Sequence, residues 1–509
     1  MIDPHVEATV THGNYIEGRW QPARSGATFE SRDPSNGSLI ARFAASDETD
    51  VDAAVAAARR ASGAWRSTPA PRRGEILFRF AGLLAEAKER LARAMTAEMG
   101  KVIAEARGDV QEGIDIAYLM AGEGRRLFGD TVPSELPDKW AMSVREPLGV
   151  AALITPWNFP VAIPCWKMMP ALIAGNSVIL KPASATPHCA VLLVGVLEAA
   201  GIPPGVVNLV TGSGSAAGLP LVRHPDVDVI GFTGNGETGR RLAVEAAQRG
   251  ARISMELGGK NAIVVLDDAD LDLAVDGIIW SAFGTTGQRC TACSRVIAMT
   301  GIADELVARL AERARSLRLG AGLDDGVEVG PLIDTSAVEK VEGYLAMALG
   351  EGASLVTGGQ RATAGALGQG CFFEPTIIDH VAPRSRVAQE EVFGPLLSII
   401  RVADYEAAMA VANGVRYGLS SSIYTRDTGT AFRAMRDFDS GIVYVNAGTI
   451  GAETHLPFGG TKATGNGHRE AGHAALDTYT EWKAIYVDYS GRLQRAQIDN
   501  QPAGERPAG

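Results

Sequence analysis

Residues 227–248, VDVIGFTGNGETGRRLAVEAAQ, decide the fold, because an apolar run, a glycine-rich turn and a helical pattern follow one another there. The apolar run 227–232 predicts a buried strand, and 240–248 predicts a helix. Between them lies the turn Gly234-Asn235-Gly236-Glu237-Thr238-Gly239. Backbone N–H groups of a glycine turn at a helix N-terminus can bind a phosphate. The segment predicts one βα unit, whose turn is either a phosphate site or a plain structural connection.

The same alternation extends over residues 150–265. Apolar runs lie at 150–154, 177–180, 206–209, 253–255 and 262–266, with helical stretches such as 190–200 between them. Repeated βα units predict an α/β fold with a parallel sheet, in which ligands bind at the carboxyl ends of the strands. From about residue 271 the alternation resumes as a second α/β domain, with helices near 304–317 and 337–350 and strands near 354–357 and 396–401.

The flanking segments have simpler patterns. Residues 15–43 predict short strands, and a helix is expected from Asp47 onward with Thr49 as its cap. Long amphipathic helices are expected at 71–99 and 102–128. Two strand-like segments, 140–146 and 484–489, are typical of a subunit contact. The polar tail 494–509 is expected to be poorly ordered.

Composition limits the function classes. A chain of 509 residues predicts about two to four domains. Its net charge of -11 argues against nucleic-acid binding. The start of the chain, MIDPH, lacks a signal-peptide pattern, and five cysteines in so long a chain are typical of a reducing cytoplasm. Cys290 and Cys293 have no second pair at zinc spacing, so no metal site is expected.

Residues 149–180 carry one charged side chain, Lys167, and are long enough for a membrane span. Prolines at positions 156, 160, 164 and 170 interrupt the segment. We therefore expect buried strands and a short helix, and no membrane association.

The residues around Cys290 form a pattern that the packing of a buried cysteine does not require. The preceding residues 280–286 are uncharged and rich in small side chains, which predicts a tight turn that presents the thiol. A thiol attacks as the thiolate, so it needs a base, a cation or a helix N-terminus to ionise. A buried structural cysteine is the alternative.

Six motifs, in order, resemble those of the aldehyde dehydrogenase superfamily over nearly the whole chain. They are Thr155-Pro156-Trp157-Asn158-Phe159-Pro160, Lys181-Pro182-Ala183-Ser184, Glu256-Leu257-Gly258-Gly259-Lys260, Gly287-Gln288-Arg289-Cys290, Glu390-Glu391-Val392-Phe393-Gly394-Pro395 and Pro457-Phe458-Gly459-Gly460. The resemblance implies a Rossmann-type cofactor domain (1–128 and 149–257), an α/β catalytic domain (258–476), a small β oligomerisation element (129–148 and 477–493) and a flexible tail (494–509). It also implies a homodimer or homotetramer.

The resemblance assigns three catalytic roles in NAD(P)-dependent oxidation of an aldehyde to its acid. Cys290 matches the nucleophile, which forms a thiohemiacetal and then a thioester after hydride transfer. Asn158 matches the oxyanion donor, together with the Cys290 backbone N–H. Glu256 matches the general base for the thiol, the hydrolytic water or both. A glutamate here favours hydrolysis, because the branch that uses coenzyme A typically lacks it.

The cofactor-binding positions implied by the resemblance lie on both sides of Cys290. They are Thr155, Pro156, Trp157, Lys181, Ser184, Gly214, Gly234, Asn235, Gly239, Glu391 and Phe393. Asn235 departs from the serine that is common there. Ser184 stands where many NAD-using members carry a glutamate that would repel a 2'-phosphate. NAD or NADP is therefore expected, with NADP tolerated; a neutral surface serine is the alternative.

Substrate positions are implied in the same way. Trp166 and Phe458 match an apolar tunnel for a small aldehyde. Arg289, Gly451 and Ala452 resemble the antiquitin branch, which oxidises a semialdehyde with a distal carboxylate. The match is partial, because His455-Leu456 and the segment 465–470 differ, and Arg289 is alternatively a structural strut.

Two other functions remain open at this point. One is a catalytically silent binding protein that keeps the aldehyde dehydrogenase fold. The other is a Cys-dependent hydrolase built on Cys290, which would leave the glycine turns, Lys181 and the Glu391 motif without a role.

Overall fold

The computed structural model describes residues 10–499. The N-terminal segment inspected for a signal peptide and residues 500–509 of the predicted tail lie outside the described residues. Within them, Gln494 Nε2 donates to the Pro137 carbonyl at 2.7 Å, and Arg495 pairs with Asp499 at 3.0 Å.

Two seven-stranded sheets organise the chain, and both are mainly parallel. The first, here the N-terminal sheet, has the strand order Arg252–Glu256, Val229–Thr233, Val150–Ile154, Ser177–Lys181, Val207–Leu209, Asn14–Ile16 and Arg19–Gln21. The first five strands are parallel to one another, whereas Asn14–Ile16 is antiparallel to Val207–Leu209 and Arg19–Gln21 is antiparallel to Asn14–Ile16. This is the doubly wound architecture expected from the alternation of residues 150–265.

The second, here the C-terminal sheet, has the order Ser354–Thr357, Thr376–Asp379, Leu396–Val402, Cys293–Met299, Asn261–Val265, Ser420–Tyr424 and Ile442–Val445. Its strands are parallel except for the first. The nucleophile loop, residues 284–290, leads into the central strand of this sheet. The α/β fold class with two such units is therefore confirmed.

A third, antiparallel sheet joins distant parts of the chain and is here called the small sheet. Its strands are Thr480–Asp488, Lys139–Pro147 and Thr131–Pro133. The first two pair over nine positions, from Thr480 opposite Pro147 to Asp488 opposite Lys139. Two minor sheets complete the set, one formed by Thr11–His12, Leu39–Ala44 and Thr28–Arg32, the other by Tyr417–Gly418 and Thr461–Lys462.

Helices cover the faces of both large sheets. Those around the N-terminal sheet are Glu48–Ser67, Ala70–Glu86, Lys88–Met99, Ile103–Glu123, Ala162–Ala174, Pro187–Ala199, Leu219–Arg223 and Gly236–Gln248. Those that follow in the chain are Leu271–Phe283, Ala303–Ser316, Thr335–Gly350, Arg386–Gln389, Tyr405–Asn413, Thr428–Asp437 and Ala475–Tyr479. Short helical turns lie at Gly214–Gly218, Gly284–Gly287 and Gly365–Gln369.

Three helix predictions need correction. The first helix is capped by Asp47, whose carboxylate accepts the Thr49 N–H at 2.9 Å, so Thr49 is not the cap. The predicted helix 71–99 is two helices that meet at Ala87, and the helix predicted to reach 128 ends at Glu123.

The apolar segment 149–180 forms the strand Val150–Ile154, the helix Ala162–Ala174 and the strand Ser177–Lys181, and all three are buried. Buried strands and a short helix are therefore confirmed for this segment. Among residues 10–499, helices that are both long and apolar enough to cross a membrane are absent.

Candidate active site

A cavity of about 230 Å³ lies between the two large sheets. Eight of the predicted site residues line it: Pro156, Trp157, Asn158, Gly234, Asn235, Cys290, Glu391 and Phe393. Five further residues complete the lining: Ile163, Thr233, Leu257, Gly258 and Lys340. The fold thus brings the candidate nucleophile, the candidate oxyanion donor and most of the candidate cofactor residues to one cleft.

Backbone contacts position Cys290. Gly287 has φ +71, and a Cβ there would lie 2.3 Å from the Gly394 carbonyl oxygen, so the loop requires glycine at this point. The Cys290 carbonyl accepts the Asn261 side-chain amide at 2.7 Å. The Cys290 thiol is half-buried and lines the cavity. The backbone that carries it is held by close packing against Gly394 and by the hydrogen bond from Asn261.

Asn158 is buried beside the nucleophile loop. Its Nδ2 donates to the Gln288 carbonyl at 3.0 Å, which orients the amide next to the backbone that carries Cys290. An amide nitrogen has two N–H donors. This contact uses one of them, so the other is available to an oxygen in the cavity that Asn158 and Cys290 line.

Glu256 ends the strand Arg252–Glu256 and is buried, but its carboxylate does not line the cavity. Among the described residues, neither carboxylate oxygen has a hydrogen-bond partner. A Cβ at Gly459 would lie 2.6 Å from Glu256 Oε1, so the glycine of the Pro457–Gly460 motif makes room for the carboxylate. An unpartnered buried carboxylate of this kind can accept a proton from a thiol or a water.

The electrostatics of Glu256 favour the protonated form. Burial and the negative charge of Glu470 raise the pKa of Glu256 well above its usual value, while Lys167 and Arg469 oppose the shift. Lys167 and Glu470 themselves form a buried ion pair. A raised pKa suits a carboxylate that exchanges protons near neutral pH.

Cys290 is held as a neutral thiol in the cavity as it stands. Burial, followed by the charges of Glu256 and Glu391, raises the pKa of Cys290 to about 12. Because the Glu256 charge acts on the thiol, the two groups are close enough to interact. Ionisation of the thiol therefore needs a base or a positive charge brought into the cavity.

The remaining predicted cofactor residues lie at the carboxyl ends of the N-terminal sheet. Thr155 follows one strand and donates its N–H to the carbonyl of Lys181, the last residue of the next strand, at 3.2 Å. Ser184 Oγ donates to the Gly212 carbonyl at 2.9 Å. Gly214 begins the turn after a third strand. This edge is where doubly wound sheets bind ligands.

The glycine turn 234–239 connects a strand to the start of a helix, as predicted, and one of its residues also caps that helix. Asn235 caps the helix Gly236–Gln248, because its side-chain oxygen accepts the N–H groups of Glu237 at 2.8 Å and Thr238 at 3.3 Å. A Cβ at Gly239 would lie 2.5 Å from Leu257, so this glycine lets the helix pack closely on the motif that carries Glu256.

These residues fit a dinucleotide. The rings of Trp157 and Phe393 meet edge to face at 5.5 Å across the cleft. Glu391 Oε1 accepts the Gly259 N–H at 3.0 Å, and Glu391 Oε2 lies 2.3 Å from the position that a Cβ at Gly258 would occupy. The buried hydroxyls of Thr155 and Thr233 lack partners among the described residues. Carboxylate and hydroxyl groups of this kind are suited to ribose and phosphate oxygens.

The predicted substrate residues fall into two groups. Trp166 and Phe458 pack edge to face at 4.9 Å within the buried core, and neither lines the cavity. Gly451, with φ +101, lies against the half-exposed ring of Trp280. Ala452 packs against the large core of the N-terminal half.

Arg289 adjoins Cys290 in the chain but is not among the residues that line the cavity. Its Nη2 pairs with Glu105 at 3.1 Å, its Nε donates to Thr285 Oγ1 at 2.9 Å, and its guanidinium lies 5.2 Å from the Phe159 ring. Among residues 10–499, its Nη1 has no protein acceptor within hydrogen-bond distance. Arg289 is thus held in place by other side chains and keeps donors for a ligand.

Sequence reasoning missed Glu105, Lys340 and the ion pair of Lys167 with Glu470. One signal was present, since Lys167 is the lone charge in an apolar segment. Glu105 and Lys340 lie in ordinary amphipathic helices, where a charged residue carries no such signal.

Comparisons with known proteins agree with this geometry. The profile of the Aldehyde dehydrogenase family matches residues 20–485. The chain is 44% identical over 478 residues to the alpha-ketoglutarate semialdehyde dehydrogenase of Haloferax volcanii, covering 94% of this chain and 99% of that protein. It is 41% identical over 472 residues to the NADP(+) succinate-semialdehyde dehydrogenase of Escherichia coli, covering 93% and 97%.

A solved structure is also similar. The betaine aldehyde dehydrogenase of Staphylococcus aureus in complex with NAD+ superposes with a TM-score of 0.92 at 34% identity, covering 94% of this chain and 95% of that chain. Sequence and fold thus agree over nearly the whole length. The chain belongs to the aldehyde dehydrogenase family and is an enzyme that oxidises aldehydes with NAD or NADP as hydride acceptor.

Proposed function

We propose that this enzyme oxidises a short semialdehyde whose far end carries a carboxylate. The observation that carries the proposal is Arg289, which adjoins Cys290 in the chain and is partly buried, with its Nη1 donors unused by the protein. A guanidinium recognises a carboxylate through charge-assisted hydrogen bonds. The aldehyde carbon would then lie at Cys290 while the carboxylate contacts Arg289.

The relatives support this substrate class. The proteins of Haloferax volcanii and Escherichia coli are named for alpha-ketoglutarate semialdehyde and succinate semialdehyde. Both compounds have an aldehyde at one end and a carboxylate at the other. Of the two, the higher identity favours alpha-ketoglutarate semialdehyde.

In the first half of the proposed reaction, Glu256 accepts the thiol proton and Cys290 Sγ attacks the aldehyde carbon. A carbon–sulfur bond forms and the carbonyl oxygen becomes an oxyanion in a thiohemiacetal. The second N–H of Asn158 and the backbone N–H of Cys290 donate to that oxygen. Losing one such donor typically costs about 3 kcal/mol of transition-state stabilisation.

The bound oxidised nicotinamide would supply a positive charge beside the thiol and accept the hydride from the aldehyde carbon. Trp157, Phe393 and Glu391 would hold it against Cys290. Glu256 then releases the thiol proton to solvent, so that it can remove a proton from the water that hydrolyses the thioester on Cys290. Cleavage of the carbon–sulfur bond releases the acid, and the proton taken from the water passes from Glu256 to Cys290 Sγ, which restores the thiol.

The proposed cofactor selectivity depends on Ser184. Its hydroxyl donates to Gly212 and adds no negative charge at the strand end where an adenosine ribose would lie. A 2'-phosphate therefore meets no repulsion from this position, and NADP is accepted as well as NAD.

We further propose that a second copy of the chain covers the small sheet. Trp140, Trp482 and Tyr486 are each more than half exposed there, which is unusual for a set of aromatic side chains on one sheet. We also propose the domain boundaries and the cytoplasmic location that the sequence predicts. Light scattering on the wild type and on Trp482→Glu tests the assembly, and an unchanged particle mass would contradict it.

The substrate proposal is tested with purified enzyme and a panel of succinic, glutaric, aminoadipic and 2-oxoglutaric semialdehydes plus benzaldehyde. The wild type should prefer the carboxylated aldehydes in kcat/KM. Arg289→Ala should lose that preference while keeping activity on benzaldehyde, and Arg289→Lys, which keeps the charge, should retain part of it. Equal losses on carboxylated and neutral aldehydes would show that Arg289 is only a strut.

Absorbance of the reduced cofactor separates this proposal from the other two functions. Cys290→Ala should abolish reduction of NAD and NADP. Reduction that persists in Cys290→Ala would remove Cys290 from the mechanism.

A further inference from the structure

The loop that presents Cys290 contains two consecutive threonines in the left-handed backbone conformation. Thr285 has φ 52 and ψ 30, and Thr286 has φ 57 and ψ 33; both are buried. β-Branched residues rarely adopt this conformation, because it crowds the branched side chain against the backbone. Such strain persists only where surrounding contacts hold it, and it concentrates at functional sites.

Glu105 supplies those contacts from a distant part of the chain. It lies in the first turn of the helix Ile103–Glu123, 180 residues before Thr285. The Thr285 backbone N–H donates to Glu105 Oε1 at 2.8 Å and to Oε2 at 3.0 Å, and Thr285 Oγ1 donates to Oε2 at 3.2 Å. Charge-assisted bonds of this kind are stronger than neutral ones.

Glu105 also holds Arg289. Its Oε1 pairs with Arg289 Nη2 at 3.1 Å, while Arg289 Nε donates to Thr285 Oγ1 at 2.9 Å. The three side chains thus form a closed set of contacts. The exposed fractions of the Arg289 and Glu105 side chains are only 12% and 13%, so solvent competes weakly for these bonds.

We infer that Glu105 is a positioning residue for two functions at once: it holds the strained turn that presents Cys290, and it orients Arg289 toward the substrate carboxylate. The inference rests on the roles proposed above for Cys290 and Arg289. Without Glu105, the Thr285 N–H loses its acceptor and Arg289 loses its charged partner.

Other contacts keep the loop folded when Glu105 is changed. Thr286 Oγ1 donates to the Gly330 carbonyl at 2.9 Å, and the Gln288 side chain accepts the Ile333 N–H at 2.9 Å. The effect of a Glu105 variant should therefore appear in the presentation of Cys290 and Arg289 more than in global stability.

The test compares Glu105→Ala, Glu105→Gln and the control Asp115→Asn, which is an exposed position of the same helix. For each variant, kcat and KM are measured with succinic semialdehyde and benzaldehyde. The rate of Cys290 alkylation by iodoacetamide is followed by peptide mass spectrometry. Thermal unfolding and binding of the reduced cofactor check that each variant is folded.

Glu105→Ala should lower kcat on both aldehydes and slow Cys290 alkylation by about 10- to 100-fold, the cost of a misplaced reacting group. Glu105→Gln keeps a carbonyl oxygen for the Thr285 N–H, so it should recover most of kcat and the alkylation rate. It lacks the charge that holds Arg289, so the preference for succinic semialdehyde should stay reduced.

Wild-type kcat and alkylation in Glu105→Ala would overturn the inference, and so would a Glu105→Gln enzyme no better than Glu105→Ala. Cys290→Ala, measured in parallel, distinguishes a failure of the Glu105 inference from a failure of the proposed mechanism. An inactive Cys290→Ala beside a normal Glu105→Ala refutes only the role of Glu105, whereas an active Cys290→Ala refutes the proposed mechanism itself.

Discussion

Breaking the buried pair of Lys167 and Glu470 should change the ionisation of Glu256 in a direction that depends on which partner is removed. The Glu470 charge raises the pKa of Glu256, and the Lys167 charge lowers it. Glu470→Gln therefore lowers the pKa of Glu256. Lys167→Met raises it, because the carboxylate of Glu470 then acts without its counter-ion.

The same variants have a cost in stability. The Lys167 side chain is 0% exposed and that of Glu470 is 7% exposed, so either single change leaves a buried charge without its partner. Removing one member of a buried ion pair typically costs about 3–5 kcal/mol of unfolding free energy. The double variant Lys167→Met/Glu470→Gln removes both charges and should be more stable than either single variant.

The assay is kcat/KM as a function of pH, whose acidic limb reports the ionisation of the base in the free enzyme. Activity should rise with pH through the Glu256 pKa, since the proposed mechanism requires the carboxylate to accept a proton. The limb should move to lower pH in Glu470→Gln and to higher pH in Lys167→Met, while urea unfolding confirms the folded fraction. Limbs that move in the same direction, or do not move, would refute the electrostatic reasoning.

Three further predictions concern other positions. Asn158→Ala should lower kcat by about 10²–10³-fold with little change in KM, and an unchanged kcat would contradict its role as oxyanion donor. Ser184→Glu should lower kcat/KM with NADP and spare NAD, relative to Ser184→Ala; equal losses with both cofactors would count against the assignment. Glu98 is fully buried at the start of the helix Pro187–Ala199, and burial raises its pKa from 4.5 to about 7. Folding thus favours its protonated form, and this contribution to stability is complete below 4.5 and lost as pH rises through about 7. Urea unfolding at pH 5 and pH 8 should show a larger loss for the wild type than for Glu98→Gln, and equal losses would disprove it.

The strands at the site were predictable because they are buried on both faces. Runs such as 150–154 and 178–180 are continuously apolar, and each is followed by a motif, so their carboxyl ends locate Thr155 and Ser184 from the sequence. The need for glycine at positions 287 and 459 became visible only in the fold, where a Cβ would collide with a neighbouring group.

Other features depend on contacts that no local pattern records. Threonine at 285 and 286 argues against a left-handed backbone, and the contacts that hold this conformation come from distant residues such as Glu105 and Gly330. The two helices that meet at Ala87 were predicted as one, because no glycine or proline at that position marks the break. Asp47 and Thr49 are both good helix caps, so local sequence alone did not decide between them.

The small sheet has a consequence for the order of events during biosynthesis. Arg145, on one of its strands, is 335 residues away from its hydrogen-bond partner Thr480. A ribosome adds about 5–20 residues per second, so the earlier strand waits for tens of seconds before its neighbour emerges. During that interval its edge is open to other nascent chains. We expect the aromatic residues of this sheet to make newly made chains depend on chaperones until the last strand arrives.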